Sequence, residues 1–271
     1  MGVWSDFMWT GVVFGGVGAL SRESWPTIWM IIEINLLSFL PFIRRRWNRK
    51  NLSLLYFITQ SVGSLALMSG GVVSDRTNGM TNCIMLGLLL KTSIAPFHFW
   101  GAAVVAKMNK YIAFVFLTWQ KLTPIFLLIR LPKIMWILVL NMFVAASCCI
   151  GTKSLTILLF FSGLMHIIWV LSSTYLVSYH YFTIYVLILA PIILINYTPL
   201  LILNLGGLPP MTGFFMKLIV LQTVRIGYAV LLLRFTVVIL SAYIRLFLVG
   251  PIKKSSYRFT AMWPCWLGIL L

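Results

Sequence analysis

Acidic residues are almost missing from this 271-residue chain: Asp6, Glu23, Glu33 and Asp75 are all it has. Charged residues of both signs reach 9%, where a soluble domain carries about 25%. So few charges cannot coat a surface that faces water, and 61% of the chain is hydrophobic. The expectation is an integral membrane protein of one polytopic domain, 1–271. Other absences narrow the chemistry. There is no GxGxxG, no phosphate loop with its lysine, no CxxC and no HExxH, so no dinucleotide, nucleotide or zinc-protease site is written in the chain. Cys83, Cys148, Cys149 and Cys265 all lie in apolar runs at spacings that suit no metal, and read as buried, inert thiols. The start, MGVWSDFMWTG, lacks the basic region of a secretory leader and reads as a retained helix. Asp6 also spoils a myristoylation signal.

Positive charge is what the chain has in excess, +17 at neutral pH. A nucleic-acid partner does not explain it, because the charges sit in short loops between apolar runs. A helix needs about 20 mostly apolar residues to span lipid. Eleven segments qualify: 3–20, 25–43, 52–73, 81–103, 112–131, 134–150, 154–176, 180–197, 199–223, 228–249 and 259–271. With loops numbered alternately, the N-terminal side collects eleven basic residues and the other side five. The excess places the first side inside, dominated by the run RRRWNRK (44–50). That run reads as a solvated retention loop, with phospholipid head groups as its other possible partner.

A few ionisable groups fall where lipid should forbid them. Glu33 stands in mid-segment in WMIIEINLLSFLPF, either protonated and hydrogen-bonded to a neighbouring helix or paired with a lysine. Lys91, Lys121 and Lys217 each lie within an apolar segment. Each costs about 2.5–3.5 kcal/mol at a helix centre on insertion scales, a cost that a passive scaffold has no use for. Snorkelling is implausible for Lys121, which has long apolar flanks on both sides, and more credible for Lys217. A desolvated lysine can give up its proton near neutral pH, whereas arginine stays charged. His98 and His166 are candidates either for a proton relay or for a structural hydrogen bond, and His180 lies at a segment edge. Two histidines could in principle ligate haem, but nothing pairs these at one depth.

Two segments are interrupted. Pro96 follows Lys91 and removes the N–H that would bond the carbonyl of Thr92. Gly206, Gly207, Pro209 and Pro210 precede Lys217. Paired broken segments point to an ion path. They fall in the fourth and ninth segments, five apart. That suits an all-α membrane fold of about eleven helices, in two inverted five-helix repeats plus one, with two broken helices.

At these residues the chain resembles a known family. KTSIAPFHFW, then TWQKLTP, then GGLPPMTGFFMK, with EINLLSFLPF and YFITQSVGSLALM upstream, is similar to the NADH dehydrogenase subunit 2 family, the antiporter-like subunits of respiratory complex I. The matches run in order from about residue 25 to 225. The resemblance implies eleven helices and proton translocation through Glu33, Lys91, His98, Lys121, His166 and Lys217. It also implies no redox cofactor on this chain, with NADH, FMN, Fe–S clusters and ubiquinone bound elsewhere in the complex. It further implies other membrane-arm and accessory subunits as partners and the mitochondrial inner membrane as location. Two departures stand out. Ser162 is the one serine where the family usually has two, and GAA follows APFHFW where a proline and an acid are usual. The rival class is a stand-alone cation/proton antiporter, which the scarcity of buried acids disfavours because a metal cation wants oxygen ligands.

Overall fold

In a computed structural model of the chain, residues 2–44, 50–73, 81–132, 135–152, 154–194, 199–209 and 211–249 are described. Among them there are helices and no strands. The segment expected at 259–271, the loop residues 45–49, Asp75, Pro210 and Cys265 lie outside the described residues. Among the described residues six stretches are long and apolar enough to cross a membrane, Trp25–Ile43, Asn51–Gly71, Lys110–Arg130, Leu155–Ser172, Tyr175–Leu194 and Ile226–Leu246. The chain is thus a multi-pass helical membrane protein. Its outer surface agrees. Phe14, Leu187 and Ile226 stand 74%, 70% and 84% exposed, a pattern that water would penalise and lipid does not.

The chain divides into two compact units, residues 1–133 and 134–271. The first holds α1 (Gly2–Gly18), α2 (Trp25–Arg44), α3 (Lys50–Val73), α4 (Thr81–Thr92), α5 (His98–Val105), α6 (Lys110–Leu117) and α7 (Trp119–Arg130). Here α2 packs on α1 and α3, α3 lies along α4, and α7 closes against α4 and α1. Glycine permits the tightest of these approaches. A Cβ on Gly87 of α4 would lie 2.6 Å from the carbonyl oxygen of Gly63 on α3. Buried rings fill the space between α2, α3, α5 and α6: Tyr56 sits 5.7 Å from Phe39, 6.1 Å from Trp100 and 6.2 Å from Phe116. Such tilted and edge-on pairs suit the ring quadrupoles. Arg130, in the last turn of α7, donates to the carbonyls of Leu20 (2.6 Å) and Arg22 (3.2 Å), just beyond the end of α1.

The second unit holds α8 (Met135–Gly151), α9 (Leu155–Ser172), α10 (Tyr175–Leu194), α11 (Pro199–Gly206), α12 (Thr212–Thr223) and α13 (Ile226–Val249). Its centre is α9, which is apolar all round; 83% of its most apolar window is buried. A helix of that kind belongs inside a protein, not at its edge. Asn141 of α8 donates to the carbonyl of Leu164 on α9 at 3.2 Å. The last described helix again reaches the first: Arg245 of α13 donates to the carbonyls of Ile150 (2.6 Å), Thr152 (3.0 Å) and Cys149 (3.4 Å) at the end of α8. Carbonyls of a last helical turn lack intrahelical donors and carry the negative end of the helix dipole, so an arginine suits them.

The interrupted segments appear as helix pairs. Segment 81–103 is α4 and α5, and segment 199–223 is α11 and α12. A further interruption, which the sequence did not announce, divides 112–131 at Thr118 into α6 and α7.

Candidate functional site

The first interruption is packed in protein. Thr92, Ser93, Ile94 and Ala95 are fully buried. Ser93 takes a left-handed φ of 56°, and the Ala95–Pro96 peptide is cis. The chain supplies its own donor to the carbonyl that Pro96 leaves without one: Ser93 Oγ donates to Thr92 O at 2.5 Å. A second freed carbonyl, that of Lys91, accepts from Gln60 Nε2 of α3 at 3.3 Å. In return the Lys91 ammonium donates to the carbonyl of Gln60 at 3.2 Å. Lys91 is 6% exposed, so its charge does not reach the surface. The Glu33 carboxylate on α2 is near enough to act on it electrostatically. Glu33 is half-buried, and its buried Oε2 accepts no hydrogen bond from the described residues. His98, the first residue of α5, is buried with its ring 3.9 Å from that of Phe99.

Lys121 lies in the first turn of α7 and is 3% exposed, which excludes snorkelling. The backbone departs from the helix just before it. Thr118 takes φ −109° and ψ −74°, and its hydroxyl donates back to Phe114 O at 2.8 Å. The Lys121 N–H then bonds Thr118 O at 3.2 Å in a tighter turn. Pro124 adds a missing N–H in the following turn. Side chains on α7 fix the segment against its neighbours. Trp119 Nε1 donates to Val12 O and Thr123 Oγ1 to Gly16 O, both at 2.8 Å, while Gln120 Nε2 donates to Asn35 Oδ1 at 3.1 Å.

In the second unit α11 ends as glycine dictates. Gly207 takes φ +78°; its N–H bonds Asn204 O at 3.0 Å, and that of Leu208 bonds Leu203 O at 3.5 Å. This left-handed cap satisfies two of the last carbonyls and leaves those of Leu205 and Gly206. Lys217 fills the gap: its ammonium donates to Gly206 O at 2.6 Å and reaches Leu205 O at 3.5 Å. It is 9% exposed. The break is held from the other side by Asn204, whose Oδ1 accepts from the Gly213 N–H at 2.9 Å in the first turn of α12. Snorkelling is thereby excluded for Lys217 too. Its charge is spent on the open end of a half-helix.

His166, on α9, meets α10. Its Nδ1 is hydrogen-bonded to the Tyr181 hydroxyl at 2.8 Å, and its ring lies 4.8 Å from that of Tyr185. Lys217 is near enough to act on it electrostatically. A small recess, about large enough for one water, is bordered by His166, Tyr181, Tyr185, Leu205, Gly213 and Met216. Glu33 and Lys91 thus lie within electrostatic range of each other in the first unit, as do His166 and Lys217 in the second. Gln60, Asn204, Tyr181 and Tyr185 are site residues that the sequence reading passed over. Their signal was an uncharged amide or phenol inside an apolar run.

Comparison with known proteins follows the same line. No family model matches the chain. NADH-ubiquinone oxidoreductase chain 2 of Anopheles gambiae is 30% identical, over 78% of this chain and 74% of the relative. The protein of that name from Locusta migratoria is 27% identical over 88% of this chain and 82% of its own length. Among solved structures, a chain of respiratory complex I from Thermus thermophilus superposes with a TM-score of 0.78 at 18% identity, covering 99% of this chain and 77% of that one. A chain of the Mrp complex from Dietzia sp. reaches 0.74 at 16% identity, covering 91% and 61%. Fold and site together define a polytopic helical membrane protein whose buried lysines sit at breaks in its helices. More particularly, the chain belongs to the NADH-ubiquinone oxidoreductase chain 2 family.

Proposed function

We propose that this chain is a proton-translocating membrane-arm subunit of respiratory complex I, which couples NADH oxidation and ubiquinone reduction elsewhere in the complex to proton movement. One observation carries the reading. Lys91, Lys121 and Lys217 are each buried in an apolar segment, and each lies within about three turns of a helical interruption. An ammonium at membrane depth needs acceptors, and a broken helix offers carbonyls that its own ladder does not use. Gly206 O serves Lys217 in this way. The Gln60 carbonyl serves Lys91 within an intact helix. Such acceptors hold a charge without neutralising it, so the proton remains free to leave.

In this mechanism Glu33 and Lys91 form a pair whose separation changes the proton affinity of the lysine. Lys121 is the central carrier, and Lys217 passes the proton toward the exit side. His98 and His166 assist at the two breaks. Moving one charge against 100 mV costs about 2.3 kcal/mol. That energy comes from electron transfer on other subunits, which hold the NADH, FMN, Fe–S clusters and ubiquinone, while this chain binds none of them. The location is the mitochondrial inner membrane, with the 44–50 loop in the matrix.

The architecture is two inverted five-helix repeats plus one helix, eleven in all. Two features support the repeat. The compact units change over at residues 133 and 134, between the fifth and sixth spans. In each unit an arginine of the last described helix, Arg130 or Arg245, binds carbonyls at the end of the first. An odd number of spans per repeat inverts the second in the membrane.

The test is purification in mild detergent. The chain should leave the membrane within a large assembly that oxidises NADH with a ubiquinone analogue. Recovery of the chain alone, active in cation/proton exchange in vesicles, would overturn the reading.

A further inference from the structure

His166 and Tyr181 meet because of the joint between α9 and α10. Ser178 Oγ lies 2.8 Å from the carbonyl of Val170, from that of Thr174 and from Ser173 Oγ, and Ser173 Oγ in turn lies 2.9 Å from Val170 O. Val170 is one turn after His166 on α9, and Ser178 is one turn before Tyr181 on α10. The serine bond therefore fixes the register of the two helices one turn away, and with that register the phenol lands on the imidazole. Tyr185, a further turn along α10, covers the same ring. Gly163 makes room for it: a Cβ there would lie 3.1 Å from the Tyr185 hydroxyl. His166 and Tyr181 are both buried, so the bond between them lies inside the protein.

An imidazole can take up a proton only where a ring nitrogen has its lone pair free. If the phenol donated to Nδ1, Nε2 would carry the one ring proton and the ring would have no vacant position. We propose that Tyr181 is a positioning residue for proton transfer at His166: its hydroxyl oxygen accepts the Nδ1–H, which leaves the Nε2 lone pair as the atom that receives the proton. The donor is the Lys217 ammonium, which reaches the carbonyl of Leu205 at 3.5 Å; Leu205 borders the same recess as His166. One N–H bond of Lys217 breaks and the Nε2–H bond forms. Lys217 is left a neutral amine and His166 an imidazolium, with the Nδ1–H bond to Tyr181 kept throughout. The Nε2–H bond then breaks in turn, the proton passing to a water that enters the recess, and the ring returns to the Nδ1–H tautomer, ready again. The inference rests on the proton-path reading given above, and it adds which nitrogen works and what holds the ring.

The test uses the assembled complex in sealed vesicles, with His166→Gln, Tyr181→Phe and both together. Loss of one neutral hydrogen bond should slow NADH-driven proton movement about fivefold to tenfold in Tyr181→Phe. The double variant should be no slower than His166→Gln alone. Infrared difference spectra with ring-labelled histidine give a second readout. The bands of His166, isolated by subtracting the His166→Gln spectrum, should report the Nδ1–H tautomer in the parent and a mixture in Tyr181→Phe. Slow pumping in His166→Gln with normal pumping in Tyr181→Phe would overturn this inference and leave the proton-path reading standing. Normal pumping in both would remove His166 from the path, and the inference with it. A double variant slower than either single one would show that Tyr181 acts apart from His166, which also overturns the proposal. If His166→Gln does not assemble, the comparison of parent with Tyr181→Phe decides. Unchanged histidine bands and unchanged pumping would reject it.

Discussion

Lys91 and Gln60 bind each other twice: the lysine ammonium donates to the glutamine's backbone carbonyl at 3.2 Å, and the glutamine side chain donates to the lysine's backbone carbonyl at 3.3 Å. The first bond holds a charge, and the second caps the end of a broken helix. They can be separated by mutation. Gln60→Leu keeps the carbonyl that receives Lys91 and removes the donor to Lys91 O. An unsatisfied buried carbonyl costs about 1–3 kcal/mol. The expected result is an assembled complex with a lower temperature of thermal inactivation and with protons moved per NADH unchanged. A fall in that ratio at normal stability would show that Gln60 acts in the path itself.

Lys91→Arg separates charge from proton exchange. Arginine can hold Glu33 but does not release a proton, since its pKa stays above about 12 even when buried. The complex should assemble and move fewer protons per NADH oxidised in sealed vesicles. An unchanged ratio at normal turnover would make Lys91 a structural charge.

Gly207→Ala strikes the cradle of Lys217. The residue would be forced into left-handed backbone, at roughly 1–2 kcal/mol. Its methyl would also fall 2.8 Å from Lys217 Nζ and 3.0 Å from its Cδ. The ammonium must then leave Gly206 O. Proton movement should fall toward that of Lys217→Met. Adding Lys217→Ala to Gly207→Ala should recover part of the thermal stability, because alanine has neither the Cδ nor the Nζ that clashes, while the backbone cost stays. Wild-type pumping in Gly207→Ala would show that the bond to Gly206 O is dispensable.

Orientation can be checked at Asn48, in the basic run that lies outside the described residues. In intact inner membranes Asn48→Cys should resist an impermeant thiol reagent added from the intermembrane side and react once the membrane is opened. Efficient labelling from the intermembrane side would reverse the topology.

How much of this was legible depended on the kind of signal each residue sends. Lys91, Lys121 and Lys217 stand out because a charge in an apolar run is conspicuous. The interruptions after Lys91 and before Lys217 announce themselves through Pro96 and the Gly206–Gly207 pair. The one at Thr118 does not. No glycine or proline marks it, and it depends on a hydroxyl that turns back to Phe114 O. Gln60, Asn35 and Gln120 carry no charge, and the groups they serve are far away in the chain; Asn204 is uncharged too, and its partner Gly213 lies across the break. Arg245 shows the same limit from the other direction. It is a plain charge within the 228–249 span, yet its acceptors at Cys149, Ile150 and Thr152 come from a helix more than 90 residues earlier. Composition shows that such a group must find partners; only packing says which.

The buried state of α9 has a consequence for how the protein is made. Its mean hydropathy, 2.1, exceeds that of the other five long spans, yet it is the one most enclosed by its neighbours. At insertion such a segment dissolves readily in hydrocarbon, and leaving lipid for protein brings it no hydrophobic gain. What draws it inward must be close fit and the few polar bonds it carries: Asn141 to its backbone, Ser178 to its last turns, Tyr181 to its histidine. The second unit therefore matures from the outside in. The span that lipid accepts most readily gives up its lipid contacts only as α8, α10, α12 and α13 close around it.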